Sequence, residues 1–214
     1  MSFDAIIEKL LARLREPLPG RVAHEPLRAT PVGNVLPKFE HKIAPKPGSV
    51  LILLYEDEGA LKFPLIKRPE YLGAHSGQIS FPGGKAEFGE NPVQTALREG
   101  EEEIGVQATE VHVLGTLSDF FVIPSNFLVT PVVGVLKHAP LFIPDSKEVA
   151  KILSGDVDRL LREDAIREKE ILAAGLYRMK APHFEFENEI VWGATAMMLN
   201  EFRMVLKSIS ESPS

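Results

Sequence analysis

Apolar side chains recur along this chain in two different periods, which predicts that helices and strands are mixed throughout it. In residues 3–14 they recur three and four positions apart, the spacing of an amphipathic helix. We expect this helix to pack on its own domain or on a second subunit. Residues 17–47 are rich in proline and show little periodicity, which predicts an irregular arm.

Short apolar runs bounded by turn residues predict four β-strands in the middle of the chain. These strands are residues 49–55, 60–67, 111–117 and 128–136. Pro64 lies in the second of them and has no N–H to donate to a ladder, so an edge or a bulge is expected there.

The pattern is more mixed in the remaining segments. Residues 118–126 combine aromatic residues, proline and asparagine, and we interpret them as a loop over a functional site. The remaining predicted elements are a helix at residues 157–171, a hairpin from residues 177–179 and 183–187, and a strand leading into a helix at residues 190–206. Together the elements predict one domain of the α/β class.

A further helix is specified by strong local signals. Asn91 suits an N-cap, Pro92 suits the first helical position, and Gln94 completes a capping box. Gly100 falls in the apolar stripe of this helix, where a glycine predicts close packing against a sheet. Gly105 suits the residue that ends the helix.

Three carboxylates of this helix share one face. Glu99, Glu102 and Glu103 are spaced i, i+3 and i+4, so they repel one another unless a cation binds. Oxygen ligands without cysteine or histidine favour Mg²⁺ or Mn²⁺ over zinc. Arg98 is expected to hold the Glu102 carboxylate by a bidentate contact. Glu101 points away from the cluster and is interpreted as solvated surface, which is also the alternative reading of the whole acidic run.

Composition narrows the classes of function. The chain has 214 residues, of which 44% are apolar and 25% charged, as expected for one well-buried domain with extensions. It has no cysteine, which excludes disulfides and thiolate catalysis and agrees with a cytoplasmic location. The net charge of −6 argues against nucleic-acid binding. No apolar run reaches about 18 residues, so no membrane span is expected, and no signal peptide is recognised.

The complete spacing around the acidic helix resembles the Nudix box. The matching positions are Gly84, Glu90, Arg98, Glu99, Glu102, Glu103, Gly105 and Val106. Gly100 departs from the pattern, because the family usually has an aliphatic residue or alanine there. The segments HSGQISFPGGKAE, LGTLSDFFVIPSNFLVTPVVGVL and FENEIVWGATAMMLNEF resemble one branch of the family, the coenzyme A pyrophosphatases. This likeness covers roughly residues 49–206.

The resemblance implies a fold and a reaction. The fold is an α/β/α sandwich with a mixed sheet, placed at residues 48–210 after an N-terminal helix and arm at residues 1–47. The reaction is the metal-dependent hydrolysis of coenzyme A or acyl-CoA to 4′-phosphopantetheine and adenosine 3′,5′-bisphosphate. Mg²⁺ or Mn²⁺ is expected on Glu99, Glu102, Glu103 and the backbone of Gly83, with Arg98 orienting a ligand carboxylate.

Other roles stay open at the level of sequence. The general base is either Glu102 or Glu103, acting through a metal-bound water, or Glu148 on a separate loop. Glu90 either organises the loop before the helix or binds an outer metal. The candidates for contact with substrate phosphates are Lys67, Arg68, His75 and Gly84. Alternatively, Lys67, Arg68 and His75 serve only to keep the protein surface soluble.

Two features of the sequence favour other functions: departures from the signature of the coenzyme A branch, and the N-terminal helix and arm. The upstream signature of the coenzyme A branch retains Arg68 but has Pro69 and Gly73 at two other positions. Those departures favour another Nudix substrate, such as ADP-ribose, NADH or an oxidised nucleotide. A non-catalytic nucleotide-binding regulator is the alternative from another class of protein. The N-terminal helix and arm are also suited to forming a homodimer.

Overall fold

The computed structural model describes residues 2–33, 39–70, 76–173 and 175–210. The helices are α1 (Phe3–Arg13), α2 (Arg21–His24), α3 (Pro92–Ile104), α4 (Val157–Leu161) and α5 (Gly193–Ser210). The first strands are β1 (Thr30–Pro31), β2 (Lys46–Asp57), β3 (Ala60–Lys67), β4 (Ile79–Ser80), β5 (Gly83–Lys85) and β6 (His112–Thr116). The later strands are β7 (Phe120–Val122), β8 (Phe127–Val135), β9 (Lys151–Asp156), β10 (Arg167–Ala173), β11 (Tyr177–Phe186) and β12 (Glu189–Trp192).

The larger sheet is mixed and contains eight strands. Its main order is β4-β3-β2-β8-β6, with β5 paired to β2, β7 to β8 and β9 to β3. The strands β2 and β8 run parallel, and the other pairs are antiparallel. Pro64 lies beyond Lys62, where the described β2–β3 ladder ends, and its partner is Ser154 of β9. The predicted edge or bulge is therefore wrong, because β3 pairs with β9 on one side and with β2 and β4 on the other; Pro64 lies between the residues that pair with β2 and those that pair with β4.

Helices cover both faces of this sheet. Successive residues of a strand point to opposite faces, so Leu51 of β2 packs towards α3 while Ile52 packs towards α1 and α5. The predicted α/β/α sandwich is confirmed. A Cβ at Gly100 would lie 2.8 Å from Leu51 Cδ2, so the expected close approach of α3 to the sheet is also confirmed.

A smaller four-stranded sheet contains β1, β11, β10 and β12. Three predictions are wrong in this region and beside it. The predicted helix at residues 157–171 is only the short α4, followed by a 3₁₀ turn and by β10. The predicted hairpin at residues 177–187 is one continuous strand, β11, which pairs with both β10 and β12. The predicted loop at residues 118–126 contains β7, which pairs with β8.

The N-terminal segment packs on the rest of the chain. Leu10, Leu14 and Leu27 are buried in the same core cluster as Phe202 of α5. Among the described helices, none combines the length and the apolar character needed to cross a bilayer. The domain boundary at residue 47 and the homodimer stay predictions.

Candidate active site

The acidic helix α3 begins and ends as its sequence predicts. The side chain of Asn91 accepts a hydrogen bond from Gln94 N at 3.0 Å, and Gln94 Oε1 accepts one from Asn91 N at 2.9 Å. Gly105 ends the helix with φ of 73°, a left-handed conformation that glycine adopts readily. Because both ends are fixed by local contacts, the carboxylate-bearing turns have a defined position over the sheet.

Strand β5 brings two glycines against α3. The backbone N–H of Gly83 donates a hydrogen bond to Glu103 Oε2 at 2.7 Å. A Cβ at Gly84 would lie 2.5 Å from Glu99 Oε1, so only glycine leaves room for that carboxylate. The two glycines therefore hold the carboxylates of Glu99 and Glu103 next to the backbone of β5.

Arg98 joins the carboxylates in a way that the sequence did not predict. Its Nε and Nη2 donate to the two oxygens of Glu90 at 2.7 and 3.1 Å, so the bidentate contact is with Glu90. Its Nη1 donates to Glu99 Oε1 and Glu102 Oε2, both at 2.9 Å. The expected bidentate contact with Glu102 is thus wrong, because the guanidinium fork fits Glu90, which helical spacing alone does not relate to Arg98.

Glu90 organises the loop in front of α3. It accepts hydrogen bonds from Glu87 N at 2.8 Å and from Thr95 Oγ1 at 2.9 Å, in addition to those from Arg98. The hydrogen bonds from Arg98 contribute most to lowering the pKa of Glu90 to about 2. Of the two roles considered for Glu90, these contacts support the organisation of the loop rather than the binding of an outer metal. The sequence pattern does not single out Thr95, which lies four residues before Glu99 on the carboxylate face of α3 rather than in the apolar stripe.

Burial makes the ionised form of two α3 carboxylates, Glu99 and Glu103, less favourable. Glu103 is 1% exposed, and burial raises its pKa to about 7. Burial also raises the pKa of Glu99, against the lowering effect of Arg98. The charges of neighbouring carboxylates add to both shifts. The protein itself therefore leaves negative charge at this face of α3 only partly compensated.

Glu148 and Arg68 come to this cluster from elsewhere in the chain. The charge of Glu148 raises the pKa of both Glu99 and Glu103, and that of Arg68 lowers the pKa of Glu103. The loop that carries Glu148 is tied to the end of α3 by Asp145 N, which donates to Glu103 O at 3.1 Å. Several residues that are distant in sequence thus act on one site.

The other predicted phosphate ligands are placed differently. Lys67 Nζ donates to Glu189 Oε1 at 2.6 Å and so belongs to an ion pair rather than to the α3 cluster. His75 lies outside the described residues. Glu101 is exposed, as expected.

The donor set suits a hard divalent cation. Glu99, Glu102 and Glu103 offer only carboxylate oxygens, and burial raises the pKa of Glu99 and Glu103, a cost that a bound cation would offset. In the described part of the chain, no three Asp, Glu or His side chains are arranged closely enough to hold a metal ion. In this arrangement Arg98 Nη1 engages both Glu99 and Glu102, and Gly83 N engages Glu103. The residues fit Mg²⁺ or Mn²⁺ by their chemistry.

Comparison with known proteins gives the family of this chain. A family model described as the NUDIX domain matches residues 45–174, more than half of the chain. Nudix hydrolase 15, mitochondrial, of Arabidopsis thaliana is 35% identical over 173 residues, which are 77% of this chain and 60% of that protein. Nudix hydrolase 22, chloroplastic, of the same plant is 35% identical over 74% of this chain and 54% of its own length. The chain therefore spans little more than half the length of these two relatives.

A bacterial relative and two solved structures complete the comparison. The uncharacterized Nudix hydrolase NudL of Yersinia enterocolitica is 32% identical over 72% of this chain and 83% of its own length. The Nudix hydrolase RenU of M. smegmatis shares the fold with a TM-score of 0.55 at 17% identity, over 80% of this chain and 92% of that one. A MutT/nudix family protein of Enterococcus faecalis does so with a TM-score of 0.51 at 16% identity, over 100% and 78%. With the family model matched across its acidic helix, this chain belongs to the Nudix hydrolase family.

Proposed function

We propose that this protein hydrolyses the pyrophosphate linkage of coenzyme A or acyl-CoA, releasing 4′-phosphopantetheine and adenosine 3′,5′-bisphosphate. The observation that carries the hydrolytic part is the set of desolvated carboxylates on α3, held against Gly83 and Gly84. The choice of coenzyme A is supported by the likeness of three sequence segments to the coenzyme A pyrophosphatase branch.

The metal would be Mg²⁺ or Mn²⁺, held by Glu99, Glu102 and Glu103 with the backbone of Gly83. It would supply positive charge for the pyrophosphate oxygens and lower the pKa of the attacking water. Arg98 keeps the Glu99 and Glu102 carboxylates in place, and Glu90 in turn fixes Arg98.

The reaction needs a group that removes a proton from water. The water oxygen forms a bond to phosphorus, the bridging P–O bond breaks, and the leaving phosphate keeps the electron pair. We assign the proton to the Glu148 carboxylate, because Glu148 is exposed and its charge reaches both Glu99 and Glu103. Glu103 by contrast is engaged by Gly83 N, and Glu102 by Arg98.

Arg68 is the residue that we assign to a substrate phosphate. Its Nε is buried and, within the described residues, has no hydrogen-bond partner. Its backbone N–H donates to Gln78 O at 3.0 Å, which fixes the start of the side chain. The Arg68 residue as a whole is partly exposed and its charge acts on Glu103, so its guanidinium is suited to pair with a substrate phosphate beside the carboxylates.

A panel of substrates tests the proposal. Coenzyme A, ADP-ribose, NADH and 8-oxo-dGTP are compared at equal concentration with Mg²⁺, with Mn²⁺ and with EDTA. We expect metal-dependent release of adenosine 3′,5′-bisphosphate from coenzyme A, well above hydrolysis of the others. Preference for ADP-ribose or NADH would contradict the choice of substrate and keep the chemistry. The second possibility is favoured by Pro69 and Gly73, which depart from the branch signature.

A further inference from the structure

An exposed apolar surface continues from the candidate active site across the same face of the larger sheet. In the ladders, Gly84 is opposite Ser49, Pro47 is opposite Leu128, and Leu128 is opposite Phe121. Residues directly opposite each other in a sheet point to the same face, as do residues two apart in one strand. Because the side of Gly84 faces Glu99, all of these positions lie on the face that α3 covers.

We name Pro47, Leu128 and Phe121 the apolar floor. Phe121 and Leu128 are each 40% exposed, although the neighbouring Val129 on the opposite face is buried. Phe120, which also points to the opposite face, packs on the His24 ring at 5.0 Å between centroids. On the active-site face, Leu128 and Phe121 thus remain partly exposed, with one edge of the Phe121 environment occupied by the His41 ring at 6.3 Å between centroids.

The dimensions and polarity of this face restrict the ligands that fit it. Gly84 and Phe121 are three strands apart, which at about 4.8 Å per strand and with the offset along the strands is roughly 15 Å. Between them, Thr130 Oγ1 donates to Asp119 Oδ1 at 2.6 Å and so leaves polar oxygens beside the floor. A ligand that fits is a narrow chain, about 15 Å long, with methyl and methylene groups and a few amide N–H donors.

We propose that the apolar floor binds the pantetheine arm of the substrate, an inference that rests on the proposed function. The arm leaves the pyrophosphate, carries two methyl groups and two amides, and is about 15 Å long when extended. Its amide N–H groups are donors for the Asp119 carboxylate, and its methyl and methylene groups cover Leu128 and Phe121. Adenine, which is joined to the pyrophosphate through one ribose, does not extend that far.

The test compares binding of the two products, since only one of them carries the arm. Dissociation constants of 4′-phosphopantetheine and adenosine 3′,5′-bisphosphate are measured by calorimetry on the wild type, Phe121→Thr and Leu128→Thr. Threonine keeps the strand propensity of both positions. Leu172→Thr is the control, because Leu172 is an exposed apolar strand residue, 60% accessible, on the distant β10.

We expect Phe121→Thr and Leu128→Thr to weaken 4′-phosphopantetheine roughly tenfold through the lost apolar contact. Binding of the bisphosphate should stay within twofold, and Leu172→Thr should change neither constant. Equal weakening of both products, weakening of the bisphosphate alone, or no change would overturn the inference. If the wild type hydrolyses coenzyme A and the floor variants bind both products normally, only this inference falls. If the wild type neither binds nor hydrolyses coenzyme A, the proposed function falls and the inference with it.

Discussion

Glu103 is a buried acid, and burial makes the ionised form of its carboxyl unfavourable. Its backbone lies in the capped helix α3, and the residue is 1% exposed. One oxygen accepts a hydrogen bond from Gly83 N at 2.7 Å, but burial raises the pKa to about 7. In the protein without metal, burial therefore favours the protonated carboxyl, and a cation bound here would favour the ionised form.

This conflict predicts how stability depends on pH in the metal-free protein. The carboxyl titrates at about 4.5 when unfolded and at about 7 when folded, so the folded state binds the proton more tightly. Its contribution is fully present below about pH 4.5 and is lost as pH rises through about 7. We expect Tm in EDTA to fall less over this range in Glu103→Gln than in the wild type. Thermal unfolding across pH measures this.

The control for that experiment is Glu101→Gln, which removes an exposed carboxylate of the same helix. Its Tm should follow the wild type at every pH. A Glu103→Gln profile parallel to the wild type would contradict the assigned pKa.

Among the elements, α3 was predictable and several strands were not. Its caps, its buried glycine and its carboxylate face depend on residues within a few positions of one another, and such signals are readable from sequence. The pairing of β7 with β8 and of β10 with β11 depends on partners elsewhere in the chain. The mixture of aromatic residues, proline and asparagine in residues 118–126 therefore suggests a loop, and the charged pattern of residues 157–171 suggests a helix, where the structure has strands. The same limit hid the contact of Arg98 with Glu90.

The contact between Arg98 and Glu90 predicts the effect of a conservative change. In Arg98→Lys the charge remains, but one ammonium cannot replace a guanidinium that bonds Glu90 twice and also reaches Glu99 and Glu102. We expect a loss of roughly 10- to 100-fold in kcat, as is usual when the support of metal ligands is removed. Steady-state kinetics with Mn²⁺ and Tm measure this. Retention of wild-type kcat would show that the network is not needed for turnover.

For the whole molecule, the N-terminal segment is tied to the core by a buried acid. Glu201 of α5 is 0% exposed and accepts hydrogen bonds from Gly20 N at 2.8 Å, His24 Nε2 at 2.9 Å and Ser118 Oγ at 2.6 Å. Burial by itself raises the pKa of Glu201, but these hydrogen bonds outweigh it and lower the pKa. No local pattern marks this residue, because in sequence it is one acid on an amphipathic helix.

Glu201→Gln is therefore expected to destabilise the whole chain. The free energy of unfolding should fall by roughly 3 kcal/mol, because an amide cannot satisfy the three donors as a carboxylate does. Since the folded pKa is lowered, the wild-type advantage is present above about pH 4.5 and is lost as pH falls below it. Urea unfolding at several pH values measures this. The control is Glu163→Gln, which removes an exposed carboxylate paired with Lys207 of the same helix.

A constant difference between Glu201→Gln and the wild type at all pH values would contradict the assigned ionisation of Glu201.

The predicted homodimer also concerns the whole molecule. Light scattering of the full chain measures it without removing residues 1–46, part of which lies in the core cluster.

The most direct test of the account is the role of Glu102 in metal-dependent hydrolysis. The release of adenosine 3′,5′-bisphosphate from coenzyme A is measured with Mn²⁺ for the wild type, Glu102→Gln and Glu101→Gln. Glu102 is largely exposed, so its replacement leaves the core intact, and Glu101 is its matched neighbour. We expect kcat to fall at least about tenfold in Glu102→Gln, through the loss of a metal ligand, and to be unchanged in Glu101→Gln. A smaller loss in Glu102→Gln, or turnover by the wild type in EDTA, would contradict the metal site on α3.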